Sequence, residues 1–396
     1  MQVNMSASDQ PQKYQQPSLV KIFFSFLRLG LTAFGGPAMV AYIKRMTVYR
    51  EHWIDEKSFS EGVSFCQMIP GATAMQTSAY VGLRIRGWAG ALASFIGFGM
   101  PAFVIMVLLS AFYVQTSTLP ASLAIFRGLK VIIVAIVANA AISFGRTSVK
   151  TWLHCMIALI AAGLFILGVN PILVILLSGL IGFIFIRGEA PAPRSTDSVT
   201  SHKISYAFIW LIAFGGVIFF ILYLFHREFF DLALTMTKID LFAFGGGFAS
   251  LPLMFHEVVE VHGWLNSSTF LNGIALGQVT PGPIVITATF VGYLVYGFWG
   301  AVIATFGMFV SSFLIVIGLA PYFDKLRDSP YFYRINSGIL FSFVGLLVSV
   351  TIRFAMGISW GIPSIILLIG TYTALILGAE ILWVVLTGIV ISYFLF

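Results

Sequence analysis

Two pairs of glycine- and proline-bearing motifs carry the chemistry this sequence could do. Phe34-Gly35-Gly36-Pro37 recurs as Phe244-Gly245-Gly246-Gly247, and Gln67-Met68-Ile69-Pro70-Gly71 recurs as Gln278-Val279-Thr280-Pro281-Gly282. Adjacent glycines invite a helix to unwind, and proline restarts one well at its first turn. Each break then leaves a half-helix N-terminus whose free N–H groups and dipole favour an anion. Neutral donors suited to oxyanion oxygens surround the breaks: Ser64, Gln67, Thr73, Gln76, Thr77 and Ser78 in the first copy, Gln278, Thr280, Thr287 and Thr289 in the second. The candidate substrate site is therefore Gly35, Gly36, Gln67, Pro70, Gly71 and Thr73 together with Gly245, Gly246, Gln278, Pro281 and Gly282.

Two cations join this set. Arg28 lies six residues before Phe34 and Lys238 six before Phe244, both well inside apolar segments. Intramembrane cations are costly and tend to be functional, so both are expected to face an anionic substrate. Arg127, Lys130 and Arg353 lack this match and are read as snorkelling side chains. Acids that could couple a second ion are Glu61, Asp240 and Glu257, although Asp240 could simply neutralise Lys238. The cluster His256, Glu257, Glu260 and His262 is expected in a solvated loop, and its two histidines are not spaced as a metal pair. Cys66 and Cys155 suit neither a disulfide framework nor a zinc site. There is no flavin, nicotinamide or metal motif and no catalytic constellation, so neither an enzyme nor a cofactor is expected.

The elements that position these residues are membrane helices. The chain has 396 residues, 59% hydrophobic and only 9% charged, against about 25% charged in a soluble domain. A soluble core cannot hide that apolar excess, and lipid can. Apolar runs of about 20 residues, the length needed to cross a bilayer, recur throughout. The net charge of +7 resides in short loops and reads as topology control, not nucleic-acid binding. Residues 1–17 are polar, without a cleavable signal.

The motifs belong to an internal repeat. Trp53 is echoed by Trp264, Phe59 by Phe270, Val81-Gly82 by Val291-Gly292 and Gly87-Trp88-Ala89-Gly90 by Gly297-Phe298-Trp299-Gly300, always at an offset of 210 or 211. The expected organisation is a polar head (1–17), a first transport repeat (18–187), a polar linker (188–204), a connecting transmembrane helix (205–226) and a second repeat (227–396). Each repeat has two broken segments followed by four clean ones, hence an even number of crossings. The one extra helix inverts the second half, the usual design for alternating access. The fold class is thus all-α integral membrane, with two inverted-topology halves and broken or re-entrant helices. Lys44, Arg45, Arg50, Arg84 and Arg86 have no basic counterparts at 254–263 or 294–297, while the uncharged loop at 115–120 is matched by Lys325, Arg327 and Arg334. Positive loops face the cytoplasm, which puts the N-terminus inside and the C-terminus outside. If the broken segments are re-entrant, the preferred reading, the chain makes nine crossings with four hairpins; if they span, thirteen.

The paired Phe-Gly-Gly and Gln-x-x-Pro-Gly motifs in a duplicated chain resemble the chromate ion transporter family in its long two-domain form, over about 18–396. The resemblance implies a multi-pass protein of a prokaryotic inner membrane that exports chromate, giving chromate resistance, and is driven by the proton-motive force. Sulfate is nearly isosteric, and an anion channel or a transporter of another oxyanion stands as the alternative. Pro70-Gly71-Ala72 departs from the family's Pro-Gly-Pro, which Pro281-Gly282-Pro283 keeps. The expected partners are the oxyanion and the lipid bilayer, without nucleic acid; assembly into a homo-oligomer is left open.

Overall fold

The computed structural model describes residues 16–34, 36–186 and 206–396. Gly35, residues 1–15 of the polar head and the linker expected over 188–204 lie outside the described residues. The described chain is helical, without strands, as a lipid-facing chain must be if every backbone polar group is to be satisfied internally. Five helices are long and apolar enough to cross a membrane, and four more apolar helices have 15 residues each.

The repeat is legible in the element boundaries themselves. In the first half, α1 (Leu19–Thr32) and α2 (Gly36–Lys44) are followed by α3 (Glu56–Met68), α4 (Thr73–Thr116), α5 (Pro120–Ser148), α6 (Trp152–Ile166) and α7 (Pro171–Phe185). After α8 (Tyr206–Phe225), the second half runs through α9 (Arg227–Phe242), α10 (Ser250–Phe255), α11 (Ser267–Val279) and α12 (Thr287–Leu319). It ends with α13 (Phe323–Arg327), α14 (Pro330–Met356), α15 (Ile362–Ile376) and α16 (Ile381–Leu395). The local causes repeat too. Asp55 caps α3 by accepting from the Ser58 N–H, and Asn266 caps α11 by accepting from Thr269. Pro120 and Pro330 open α5 and α14 at positions where no N–H is needed. Helices α2 and α10 both run on into a π-helical turn, Arg45–Arg50 and His256–Val261. Helices α4 and α12 each fold back at one glycine, Gly87 (φ 62°) and Gly297 (φ 64°).

Contacts along the chain show that the broken segments are hairpins. Lys21, at the start of α1, forms a 2.9 Å ion pair with Glu51, just past α2, so the first segment goes in and returns to the same end. A Cβ on Gly62 of α3 would meet the ring of Tyr80 on α4, and Met75 lies beside Gly99. The first limb of α4 therefore returns antiparallel to α3 and then packs antiparallel to its own second limb. Gly82 touches Gly90 at that crossing, and Gly292 touches Gly300 at its counterpart; small residues let membrane helices approach closely. In α9–α12 the matching contacts are Lys238 with Glu257 and Gly273 with Phe290.

The two halves enter from opposite ends. Call the near end the one where α1 begins. The second limb of α4 leaves it at Gly87 and reaches the far end, where Tyr113 accepts a 3.0 Å hydrogen bond from Asn272 near the start of α11. Conversely, Phe323, just beyond α12, packs on Phe65 of α3. The last helices are exchanged between halves: α5 packs on α15 and α16, and α14 on α6 and α7. Among the described residues nine segments run between the two ends: the second limbs of α4 and α12, then α5, α6, α7, α8, α14, α15 and α16. This is the re-entrant arrangement with nine traverses and four hairpins.

Nine traverses put Leu19 of α1 and Leu395 of α16 at opposite ends of the bundle. Reporter fusions at residue 190 and after Phe396 are expected to report opposite sides of the membrane. The same side for both would overturn the nine-traverse path.

Candidate functional site

The tips of the four hairpins meet at mid-depth, and each tip is completed by the other half. The Gly71 N–H donates to the Ala243 carbonyl (3.0 Å), and the Gly282 N–H donates to the Ala33 carbonyl (3.0 Å). Ala33 and Ala243 are the residues just before the two Phe-Gly-Gly motifs. Gly71 and Gly282 have φ of 117° and 116°, a region that only glycine adopts freely. There is also no room for a side chain. A Cβ on Gly71 would lie 2.0 Å from Ser312 Oγ, and one on Gly282 2.7 Å from the Ala102 methyl group. These two amides, expected to be free for an anion, are thus engaged by the partner half.

Beside the tips lies a cavity of about 800 Å³. Of the expected site residues, Gln67, Thr73, Gly245, Gly246, Gln278 and Gly282 line it; Pro70, Gly71 and Pro281 sit behind its wall. Gly36 begins α2, and Gly35 lies outside the described residues. The first turn of α4 opens on the cavity through Ala72, Thr73 and Ala74. Its N-cap, Ala72, has no side chain to cap that turn, so the first N–H groups keep their capacity for an external acceptor. Gly246 brings the second half's backbone against Thr73, where a Cβ would stand 3.2 Å from Thr73 Oγ1. Gln278 Nε2 is buried without a hydrogen-bond partner. Lys44 is the one ionisable group among the described lining residues, and it pairs with Glu56 at 2.6 Å. The wall therefore offers donors and a helix pole, and no carboxylate.

Arg28 and Lys238 are not brought to this cavity. Arg28 is exposed on α1, and Lys238 forms a 2.7 Å ion pair with the nearly buried Glu257. The reason is helical geometry: six residues amount to about 9 Å and one and two-thirds turns, which carries a side chain away from the tip and onto another face. Their equal spacing comes from the repeat. Asp240 consequently does not neutralise Lys238; it is buried and held by Ser311 and Ser312. Glu61 is half-buried on α3, outside the cavity.

The cluster at 256–262 is solvated only in its second part, where Glu260, Val261 and His262 are exposed. His256 and Glu257 are buried in the π-helical turn after α10. His256 Nδ1 lies 2.8 Å from Glu260, which also pairs with Arg353 of α14. Arg353 further donates to the Phe165 carbonyl (2.6 Å), so it is anchored in the protein and does not snorkel. Burying these groups is tolerable because each charge has an opposite partner. No signal in the sequence distinguished this paired network from an exposed charged loop.

The repeat makes the two ends comparable position by position. Around the cavity, Ser60, Val63, Asn139, Ala140 and Phe144 line open space. Their counterparts Leu271, Ile274, Ser349, Val350 and Phe354 are completely buried. Ser143, on the open side, corresponds to Arg353, whose bridge to Glu260 ties α14 to the π-helical turn. The cavity opens at the near end, through Lys44, Ser60 and Thr147, and its counterpart at the far end is packed shut.

The chromate transporter family matches the chain twice, over residues 20–183 and 230–393. Among curated proteins, an uncharacterized transporter of Methanocaldococcus jannaschii is 43% identical over 97% of this chain and 96% of its own length. A probable chromate transport protein of Synechococcus elongatus is 31% identical over 85% of this chain and 84% of its own length. A chromate transport protein of Cupriavidus metallidurans is 28% identical over 91% and 88%. No solved structure matches. The chain belongs to the chromate transporter family.

Two measurements check the geometry. With Cys155 replaced by serine, Ser60→Cys and Asn139→Cys should react rapidly with a polar maleimide applied to the near side, whereas Leu271→Cys and Ser349→Cys should not. Equal labelling of both sets would remove the open-and-shut distinction. Lys238→Gln should lower thermal stability by about 1–3 kcal/mol, because the nearly buried Glu257 is left with only the longer contact to His262 (3.9 Å), read as a fall in Tm in detergent.

Proposed function

We propose, on the premise of membership in the chromate transporter family, that this protein is a secondary transporter exporting a tetrahedral oxyanion, chromate or the nearly isosteric sulfate, from the cytoplasm. The observation that carries this reading is the acid-free cavity wall. The uncapped α4 pole, the glycine backbone at 245–247, Gln67 and the unpartnered Gln278 amide converge there from both halves. A dianion in that space finds N–H and O–H donors on several sides and meets no lining carboxylate, as anion recognition by helix termini and neutral donors requires.

The near-end opening and the shut far end support alternating access. Because the halves are copies, the far-end positions can adopt the open arrangement that the near-end positions have now, and the reverse. A channel would need a continuous path, which the buried far-end positions do not support. We assign the near end to the cytoplasm of a prokaryotic cell, because Lys44, Arg45, Arg50, Arg84, Arg86 and Lys325 gather there. On this reading residues 18–187 and 227–396 are the two transport repeats, and 205–226 the helix that inverts the second.

The test is uptake of labelled chromate and sulfate into inverted membrane vesicles, with an interior-positive potential and a pH gradient imposed separately. Accumulation should be saturable and faster under the potential, which is worth about 2.3 kcal/mol per charge per 100 mV. Gly71→Leu and Gly282→Leu should reach the membrane and transport at background level, and Gln278→Leu should weaken substrate affinity about tenfold, the loss of one hydrogen bond to a charged group. Normal transport by both glycine variants would exclude the breaks from the route. Flux that never saturates and follows the gradient passively would favour a channel.

A further inference from the structure

Asp240 is completely buried on α9, at the level of the hairpin tips. Its carboxylate accepts three hydrogen bonds, all from α12. Ser311 Oγ (2.5 Å) and the Ser312 N–H (2.8 Å) reach Oδ2, and Ser312 Oγ (3.0 Å) reaches Oδ1. Ser312 Oγ in turn accepts the Ala72 N–H at 3.2 Å. Ala72 is the N-cap of α4 and part of the cavity wall. Two hydrogen bonds therefore separate a buried acid from the pole that faces the proposed substrate.

Among the described residues no opposite charge accounts for this acid. Lys238, two residues earlier, is committed to Glu257. Helices α8, α10 and α12 and the tip at 69–72 contain no Asp, Glu, Lys, Arg or His, and Tyr223 of α8 lies towards the far end. The tyrosines of α12, Tyr293 and Tyr296, lie on its other limb, and Arg227, Glu228 and Asp231 of α9 lie towards the far end. Nor does the fold require it. The positions of Asp240, Ser311, Ser312 and Ala72 correspond in the other half to Gly30, Pro101, Ala102 and Pro283. Pro283 has no N–H, and Ala102 offers no acceptor. That half builds the same hairpin tip with neither hydroxyl nor acid. Satisfying the Ala72 N–H would take only Ser312, so the carboxylate is an addition.

We propose that Asp240 carries a proton whose binding and that of the oxyanion favour each other. The inference rests on the oxyanion reading given above. Ionised, Asp240 sets a negative charge behind the pole that attracts a dianion, in surroundings where charge is poorly screened. The proton arrives from water, converts the carboxylate to the acid and removes that repulsion. The oxyanion, once bound, holds the proton by the same amount, because coupling between two ligands is reciprocal. The acid's O–H can then donate to Ser312 Oγ, which loosens its hold on the Ala72 N–H at the cavity wall. A proton and an oxyanion thus travel together, and the apparent symmetry of the two halves is broken at the one place where this matters.

The experiment is chromate binding to purified full-length protein between about pH 5.5 and 8.5, with affinities expressed per concentration of the dianion. Wild-type affinity should rise at least about tenfold towards acid pH. Asp240→Asn, which imitates the protonated acid, should bind tightly at pH 8 and lose that dependence. Ser312→Ala removes one of the three donors to the carboxylate, the Oγ–H, and should move the midpoint of the dependence to higher pH. An unchanged slope in Asp240→Asn, or weak binding at all pH values, overturns the inference, as does an unmoved or lowered midpoint in Ser312→Ala. Failure of both the wild type and Asp240→Asn to bind chromate at any pH in this range would instead defeat the oxyanion reading itself.

Discussion

The structure depends on one reciprocal exchange of hydrogen bonds at mid-depth. Hairpins that stop halfway through a bilayer leave backbone amides and carbonyls where no lipid can satisfy them, at a cost of several kcal/mol each. Here the Gly71 N–H is taken by Ala243 and the Gly282 N–H by Ala33. Each half supplies what the other lacks. Reciprocity of this kind is what a two-fold relation between copies produces. It also explains why both breaks need glycine: the chain must turn at positive φ while the opposite half presses against it. The exchange of last helices, α5 onto α15 and α16 and α14 onto α6 and α7, extends the same logic to the periphery.

Against that shared frame, the differences between the halves carry the functional meaning. The near-end path is open and lined by apolar groups such as Val63, Phe144 and Leu340 together with polar ones, while the far-end path is filled by Phe270, Leu271, Ile274 and Phe354 and bridged by Arg353 and Glu260. The pairing of Lys238 with Glu257 adds a second tie at the far end. Ion pairs suit such a role. A hydrophobic seal gains by area alone, whereas a charge pair that has been pulled apart can be satisfied by entering water.

Much of this was legible in the residues. The offset of 210–211, with the matched Pro-Gly and Phe-Gly-Gly motifs, disclosed two copies, an odd helix between them and breaks at matched positions, while the choice between hairpins and spanning segments stayed open. It did so because backbone needs at mid-depth leave few residue choices. Gln67, Thr73, Gln278 and the glycines at 245 and 246 were found for the same reason. Arg28 and Lys238, neither of which lines the cavity, show the limit of such reading. Equal spacing from a motif reports common descent of two copies, but helical phase decides which way a side chain points. The network around Glu257 was illegible because paired burial and solvation look alike in one dimension. So was the role of Asp240, whose partners Ser311 and Ser312 lie some seventy residues along the chain.

The exchange between tips also sets a timetable for biogenesis. The Gly71 amide finds its acceptor only when Ala243 has been synthesised and has entered the membrane. At roughly 5–20 residues per second that is a delay on the order of ten seconds or more. During this interval the first pair of hairpins must shelter its polar tips against water or the insertion machinery, since lipid offers them nothing. The first half is therefore an intermediate that waits for its copy, and the last apolar helices to emerge, α15 and α16, close over α5, which was made more than two hundred residues earlier.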